Sequence, residues 1–401
     1  MNRKFFNAIL VVVWLTLGSA AAQAQGVQFR TGALNAVFEA ARKAKKPVFV
    51  EVYSETCHVC QSFIPTFAEP KVGKFYNSRF ISTKIDISSK STLAFLDKNH
   101  LFVPSLPLFL YMDAAGNLMH MAMSNNSADE VIRHGTTALS PAIRASSMHK
   151  RYEEGERSPN FLIDYGMYAR VTRDTATNIR VMNEYATRQT ATTYTNPTNW
   201  LVLQKLILDV DNPLFQYLMG HLDQFIRTNG AEQVKTVAEN ILMSSLYSSR
   251  GNLYPAAKIS SIRNQLQQIG IEGRVASNRT LLPEVNAYFR AGQATKAASR
   301  MDDHIAQNQF STPEYLYVIR LFNRKSPDAS DAPTVARWAM KAIAQAKSPA
   351  EQADLYFELA EVYRRGGKTA EALKAAQKSN ELAKTARMDT KRNTEQIGRL
   401  K

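Results

Sequence analysis

The sequence predicts two architectures in series: a small α/β sandwich with a mixed sheet, then an all-α domain built from helical repeats. Three observations carry this. Residues 48–53, a β-branched and aromatic run, lead straight into Cys57-His58-Val59-Cys60. Helix-like and strand-like segments alternate from residue 34 to residue 139. Beyond Ser140-Pro141 the strand pattern stops, and apolar-rich helical segments follow with short Pro, Gly and Asn punctuation.

The first element is a targeting segment over residues 1–24. Arg3 and Lys4 precede an apolar stretch at 5–17, and Ala22-Gln23-Ala24 fits cleavage before Gln25. The stretch is shorter than the roughly 20 residues of a membrane span, so an uncleaved anchor is the lesser alternative. No cysteine lies near the cleavage point to take a lipid. The expectation is an exported, periplasmic protein. Its formal charge is +15, or +13 once Arg3 and Lys4 are gone. The basic residues are dispersed among acids and export argues against nucleic acid as a partner, which leaves an acidic membrane surface or acidic clients as the use of this charge.

Residues 25–140 form the first domain. Residues 34–45 are helical by composition and 47–53 are a strand. A helix at 60–67 contains Pro65, which should bend it rather than forbid it. A short helix at 70–76 and a strand at 79–87 follow. Residues 91–99 are a helix, and 106–112 a strand that turns at Asp113-Ala114-Ala115-Gly116 into a hairpin partner at 117–123. Ser127, with Glu130 at the capping-box spacing, opens a helix to residue 139. The order is βαβαββα.

Cys57 and Cys60 are the only cysteines in 401 residues, and they stand at C-x-x-C spacing. A thiol at a helix N-terminus meets free N–H groups and the macrodipole, which favour the thiolate. A second thiol one turn on can displace a mixed disulfide. The pair reads as a dithiol redox centre. Two buried structural thiols are one alternative. A metal pair completed by His58 is another, although no further Cys or His cluster supplies the remaining ligands. No cofactor motif is present. With no cysteine left for a structural disulfide, stability must come from core burial.

These residues resemble the thioredoxin-fold family beyond the cysteine spacing. Glu51 stands six residues before Cys57 where the family has a buried acid, and Pro65 stands where it bends the helix after the motif. Lys84 falls on the next central strand, and Pro107, in Val103-Pro104-Ser105-Leu106-Pro107, matches the family's cis-proline. Lys46-Pro47-Val48, Tyr53, Thr66-Phe67, Pro70, Val72 and Leu106-Pro107 are most similar to the C-terminal periplasmic domain of the thiol–disulfide interchange protein DsbD. Departures are Thr56 in place of the usual tryptophan, Leu108 after the proline, and the His58-Val59 dipeptide. The resemblance implies Cys57 as attacking thiol, Cys60 as resolving thiol, Glu51 as proton partner of Cys60, and Pro107 leaving the Leu106 backbone free for a client strand. His58, if protonated, would favour the thiolate and a more oxidising disulfide; as a solvated loop residue it would do little. The direction of electron flow stays open, and the DsbD likeness leans toward reduction.

Residues 141–385 form the helical domain. Tyr356, Leu359, Ala360, Tyr363, Gly367 and Ala372 fall at tetratricopeptide spacing, with two helices meeting at Arg365-Gly366-Gly367. Residues 287–307 echo it, and 161–188 read as a helical pair. Residues 200–226 and 234–246 are amphipathic, and 386–401 read as a basic, solvated or frayed tail. The leading expectation is an exported thiol–disulfide oxidoreductase whose helical domain recruits protein clients and a redox partner. The alternative is a binding or assembly protein with a non-essential dithiol.

Overall fold

A computed structural model describes residues 26–401; the expected leader lies outside them. The chain divides into two compact units at 181/182.

In the first unit β2 (Val48–Tyr53) is central. Its first five residues are wholly buried, which suits a strand covered on both faces. The sheet order is β1-β3-β2-β4-β5, with β1 (Phe29–Arg30) and β2 parallel to β3 (Ile81–Asp86). The strands β4 (Leu108–Met112) and β5 (Leu118–Ala122) continue antiparallel from β2. Helices α1 (Leu34–Ala44), α2 (His58–Gln61), α3 (Ile64–Ala68), α4 (Pro70–Arg79), α5 (Lys90–Lys98) and α6 (Ala128–Leu139) complete the mixed α/β arrangement expected. The two-residue β1 was not anticipated, because a strand so short carries no alternation to read.

The expected helix at 60–67 is broken in two. Pro65 has no N–H to donate back along a continuous helix, and it sits in the first turn of α3, where that loss costs nothing. Ser127 caps α6 by accepting the Glu130 N–H at 3.3 Å. The Glu130 side chain turns to Arg133 instead of closing a capping box. The core under α3, α4 and α6 is aromatic: Phe49, Phe63, Phe67, Tyr76, Phe109 and Tyr111 are buried together. Phe49 packs edge-on to Phe109 at 5.3 Å between ring centres. Truncating such a ring costs about 3–5 kcal/mol.

The first unit does not stop at residue 140. It includes α7 (Met148–Glu153) and α8 (Pro159–Val171), and the division falls within α9 (Thr175–Thr187).

The second unit is all helix: α10 (Pro197–Lys205), α11 (Pro213–Gly220), α12 (Leu222–Asn229), α13 (Ala231–Leu246), α14 (Ala256–Gln268), α15 (Gly273–Arg290), α16 (Ala294–Gln307), α17 (Thr312–Lys325), α18 (Ala332–Gln345), α19 (Pro349–Arg365), α20 (Thr369–Thr385) and α21 (Lys391–Leu400). The punctuation explains the starts. Asn196, Asn212 and Ser348 each precede a proline, and each side chain accepts an N–H of the following turn. Gly292 and Gly367 close α15–α16 and α19–α20 at φ 66° and 71°, conformations that favour glycine. Each helix packs chiefly on its sequence neighbours.

The basic stretch after residue 386 is not a frayed end. Asn393, Gln396 and Leu400 of α21 are buried. Asn393 donates to Ser379 Oγ at 2.6 Å and Gln396 to the Phe357 carbonyl at 3.0 Å. Two of the three inward positions are amides, so no apolar stripe announced the packing.

Candidate functional site

The site begins with the register of β2. Glu51 pairs with Lys84 on β3 and with Phe109 on β4. Adjacent in-register residues of neighbouring strands share a face, and Glu51 Oε2 accordingly lies 2.8 Å from Lys84 Nζ. Glu51 is 1% exposed, and Oε2 accepts no well-aligned hydrogen bond despite that closeness. Burial raises the Glu51 carboxyl above its usual range, and Lys84 only partly offsets this. The Lys84 ammonium also sits 4.4 Å from the Phe29 ring centre and 5.0 Å from that of Phe67. Phe29 belongs to the unanticipated β1, so this part of the site was invisible in the sequence.

After β2 the chain turns through Ser54, whose carbonyl accepts the Cys57 N–H at 3.2 Å. Cys57 is the N-cap of α2, with extended backbone at φ −84°, and its Sγ accepts the Cys60 N–H at 3.1 Å. A sulfur held there receives the donors that a helix start leaves unsatisfied. Both cysteines are free thiols; Cys57 is half-buried and Cys60 is buried. Burial first, then the hydrogen bond with Cys57, pushes the Cys60 thiol up to about 11. The inner thiol therefore holds its proton until something removes it. His58 and Val59 are exposed, and the His58 imidazole bonds to no described residue. Among the described residues no three His, Cys, Asp or Glu side chains are grouped to hold a metal.

Leu106-Pro107 is a cis peptide. Leu108 is in register with Val52, so Leu106 and Pro107 lie at the sheet end from which β2 delivers the cysteines. Pro107 is buried and Leu106 half-buried. The Leu106 N–H and C=O have no hydrogen-bond partner among the described residues. The fold thus brings Glu51, Lys84, Cys57 and Cys60 together, and sets Leu106-Pro107 at the same end of the sheet.

A family model of thioredoxin-like proteins matches residues 30–114. That span contains both cysteines, Glu51, Lys84 and Pro107. No curated protein matches the chain. The first unit therefore contains a thioredoxin-like domain carrying a C-x-x-C pair, and 15 helices from α7 to α21 follow that domain in the chain.

Proposed function

We propose that the protein is an exported thiol–disulfide oxidoreductase acting on disulfides of protein clients. The observation that carries this is the graded dithiol: an outer Cys57 sulfur capped by a backbone N–H, and an inner Cys60 thiol kept protonated by burial. In the reductive direction, Cys57 Sγ attacks one sulfur of a client disulfide, and the other sulfur leaves with the bonding pair. Cys60 loses its proton and attacks Cys57 Sγ, so the client leaves with its second thiol. Two electrons have passed to the client, and a Cys57–Cys60 disulfide remains for a reduced donor protein to reopen. Glu51 is the proton acceptor for Cys60, since a carboxyl with a raised pKa exchanges protons nearer neutral pH. The free Leu106 backbone would pair with an extended client segment beside the buried Pro107. The tetratricopeptide-like helices would recruit clients or the donor, and the basic surface would favour acidic ones.

The test is the Cys57–Cys60 reduction potential of the chain from residue 25, equilibrated against dithiothreitol or glutathione. A value near about −270 mV supports a reductant and one near about −120 mV an oxidant. Failure to form the intramolecular disulfide at any poise overturns the reading. Unchanged client binding and cell phenotype in Cys57→Ser would favour the helical scaffold.

A further inference from the structure

The loop between α5 and β4 ends in the Leu106-Pro107 segment, and its backbone is held at one point. Over residues 102–106 the backbone makes a single hydrogen bond to another described segment: Phe102 N–H to the Val171 carbonyl, 2.7 Å. Val171 is the last residue of α8. Two residues on, Arg173 adopts a left-handed backbone at φ 55° and reaches back. Its Nε donates to the Leu101 carbonyl at 3.1 Å, and its Nη1 pairs with Asp97 at 3.0 Å. The far end of the loop has a side-chain tie, Ser105 Oγ to Met123 Sδ at 2.9 Å. The corner itself is fixed: Asp174 N–H donates to the Ala169 carbonyl, and Asp174 Oδ1 accepts the Thr177 N–H that opens α9.

We propose that the α8–α9 corner is a positioning clamp for this loop, with Arg173 as its key residue, and that it sets where Leu106 and Pro107 meet a client strand. The inference rests on the oxidoreductase reading and adds to it a residue outside the span that resembles other thioredoxin-like proteins. A helix following the sandwich thereby takes part in client recognition. The hydrogen bonds to Leu101 and Phe102 preorganise an acceptor strand that has no sheet partner of its own, and preorganisation acts on binding rather than on the sulfur chemistry.

Arg173→Gly tests this in the full chain. Glycine accepts the left-handed corner, so the substitution removes the side chain without straining the fold. Amide exchange at Leu101 and Phe102, the hydrogen-bonded amides of the segment, should quicken about tenfold, and KM for a disulfide-bonded protein client should rise about five- to tenfold, the loss expected for one or two hydrogen bonds. The kcat, the reduction potential and the rate with a small disulfide such as oxidised glutathione should stay unchanged. Arg173→Lys, which can still donate to Leu101 and Asp97, should restore most of the affinity. Unchanged exchange and KM in Arg173→Gly overturn the clamp alone. A fall in kcat and a shifted potential without rescue by lysine make the residue merely structural and also overturn it. A wild-type chain that forms no Cys57–Cys60 disulfide overturns the oxidoreductase reading, and client positioning with it.

Discussion

Two buried glutamates show how differently the two units treat charge. In the helical unit Glu284 of α15 is 2% exposed and answered twice: Arg300 Nε lies 2.8 Å from its Oε2, and Arg263 Nη1 bonds the same oxygen. In the thioredoxin-like unit Glu51 is as deeply buried and meets one lysine, without an aligned hydrogen bond. Doubly paired buried carboxylates hold a structure in register. A singly and loosely paired one stands ready to change protonation state. The second kind lies beside the dithiol.

The sharpest break in this comparison is Cys57→Ser, which should abolish disulfide exchange while leaving the circular dichroism spectrum unchanged. Cys60→Ser should instead accumulate mixed disulfides, visible by mass spectrometry. Next in size is Glu284→Ala, which leaves two arginines facing a hole; urea denaturation should show a loss of about 3–4 kcal/mol. An acid titration follows. His120 of β5 accepts the Ala145 N–H at 3.1 Å through Nδ1 and packs between Tyr111 of β4 and His134 of α6. Burial, with the neighbouring charges of His134 and Arg133, lowers it to about 3. The unfolded chain takes up that proton from about pH 6.5 downward and the folded chain does not, so stability is full above that pH and lost below. By pH 4 the His120 share of the loss should reach about 3 kcal/mol, and His120→Gln should remove that share while leaving the one due to His134, which burial lowers to about 4.

The smallest stability effect belongs to Glu51→Gln. The Glu51 carboxyl is raised above 4.5 in the folded chain, so wild-type stability declines as pH rises from 4.5 through the folded value and stays flat above it. The variant escapes that decline, so its stability should stay level over the pH range in which the wild type falls. It should nonetheless release mixed disulfides more slowly, by about tenfold or more in single-turnover quench experiments. A variant both less stable and unimpaired in release would place Glu51 with Glu284 as a structural acid.

The sequence displayed the motif because its parts are local or sit on strands with strong alternation. Cys57 and Cys60 are three apart, Glu51 lies on the strand that leads to them, and Pro65 and Pro107 are typed by backbone chemistry alone. Lys84 was reachable through strand pairing. What stayed hidden depends on contacts far apart in the chain. Arg173 reaches residues 72 and 76 positions away, from a helix corner with no distinguishing composition. Phe29 sits on a strand too short to show a period. His120 resembles any other alternating residue until the first helices beyond residue 140 cover it. In the helical unit the starts were legible from Asn-Pro and Ser-Pro. The inward amides of α21 were not.

Neighbour-by-neighbour packing of α10 to α21 also fixes how the protein yields to force. A chain pulled from its ends can lose those helices a few at a time, since each is held mainly by the ones beside it. β2, bonded to β3 on one edge and β4 on the other, gives way only when whole ladders shear together. The helical unit should therefore extend as a ratchet of small steps, and the sheet that holds the sulfurs should part in one.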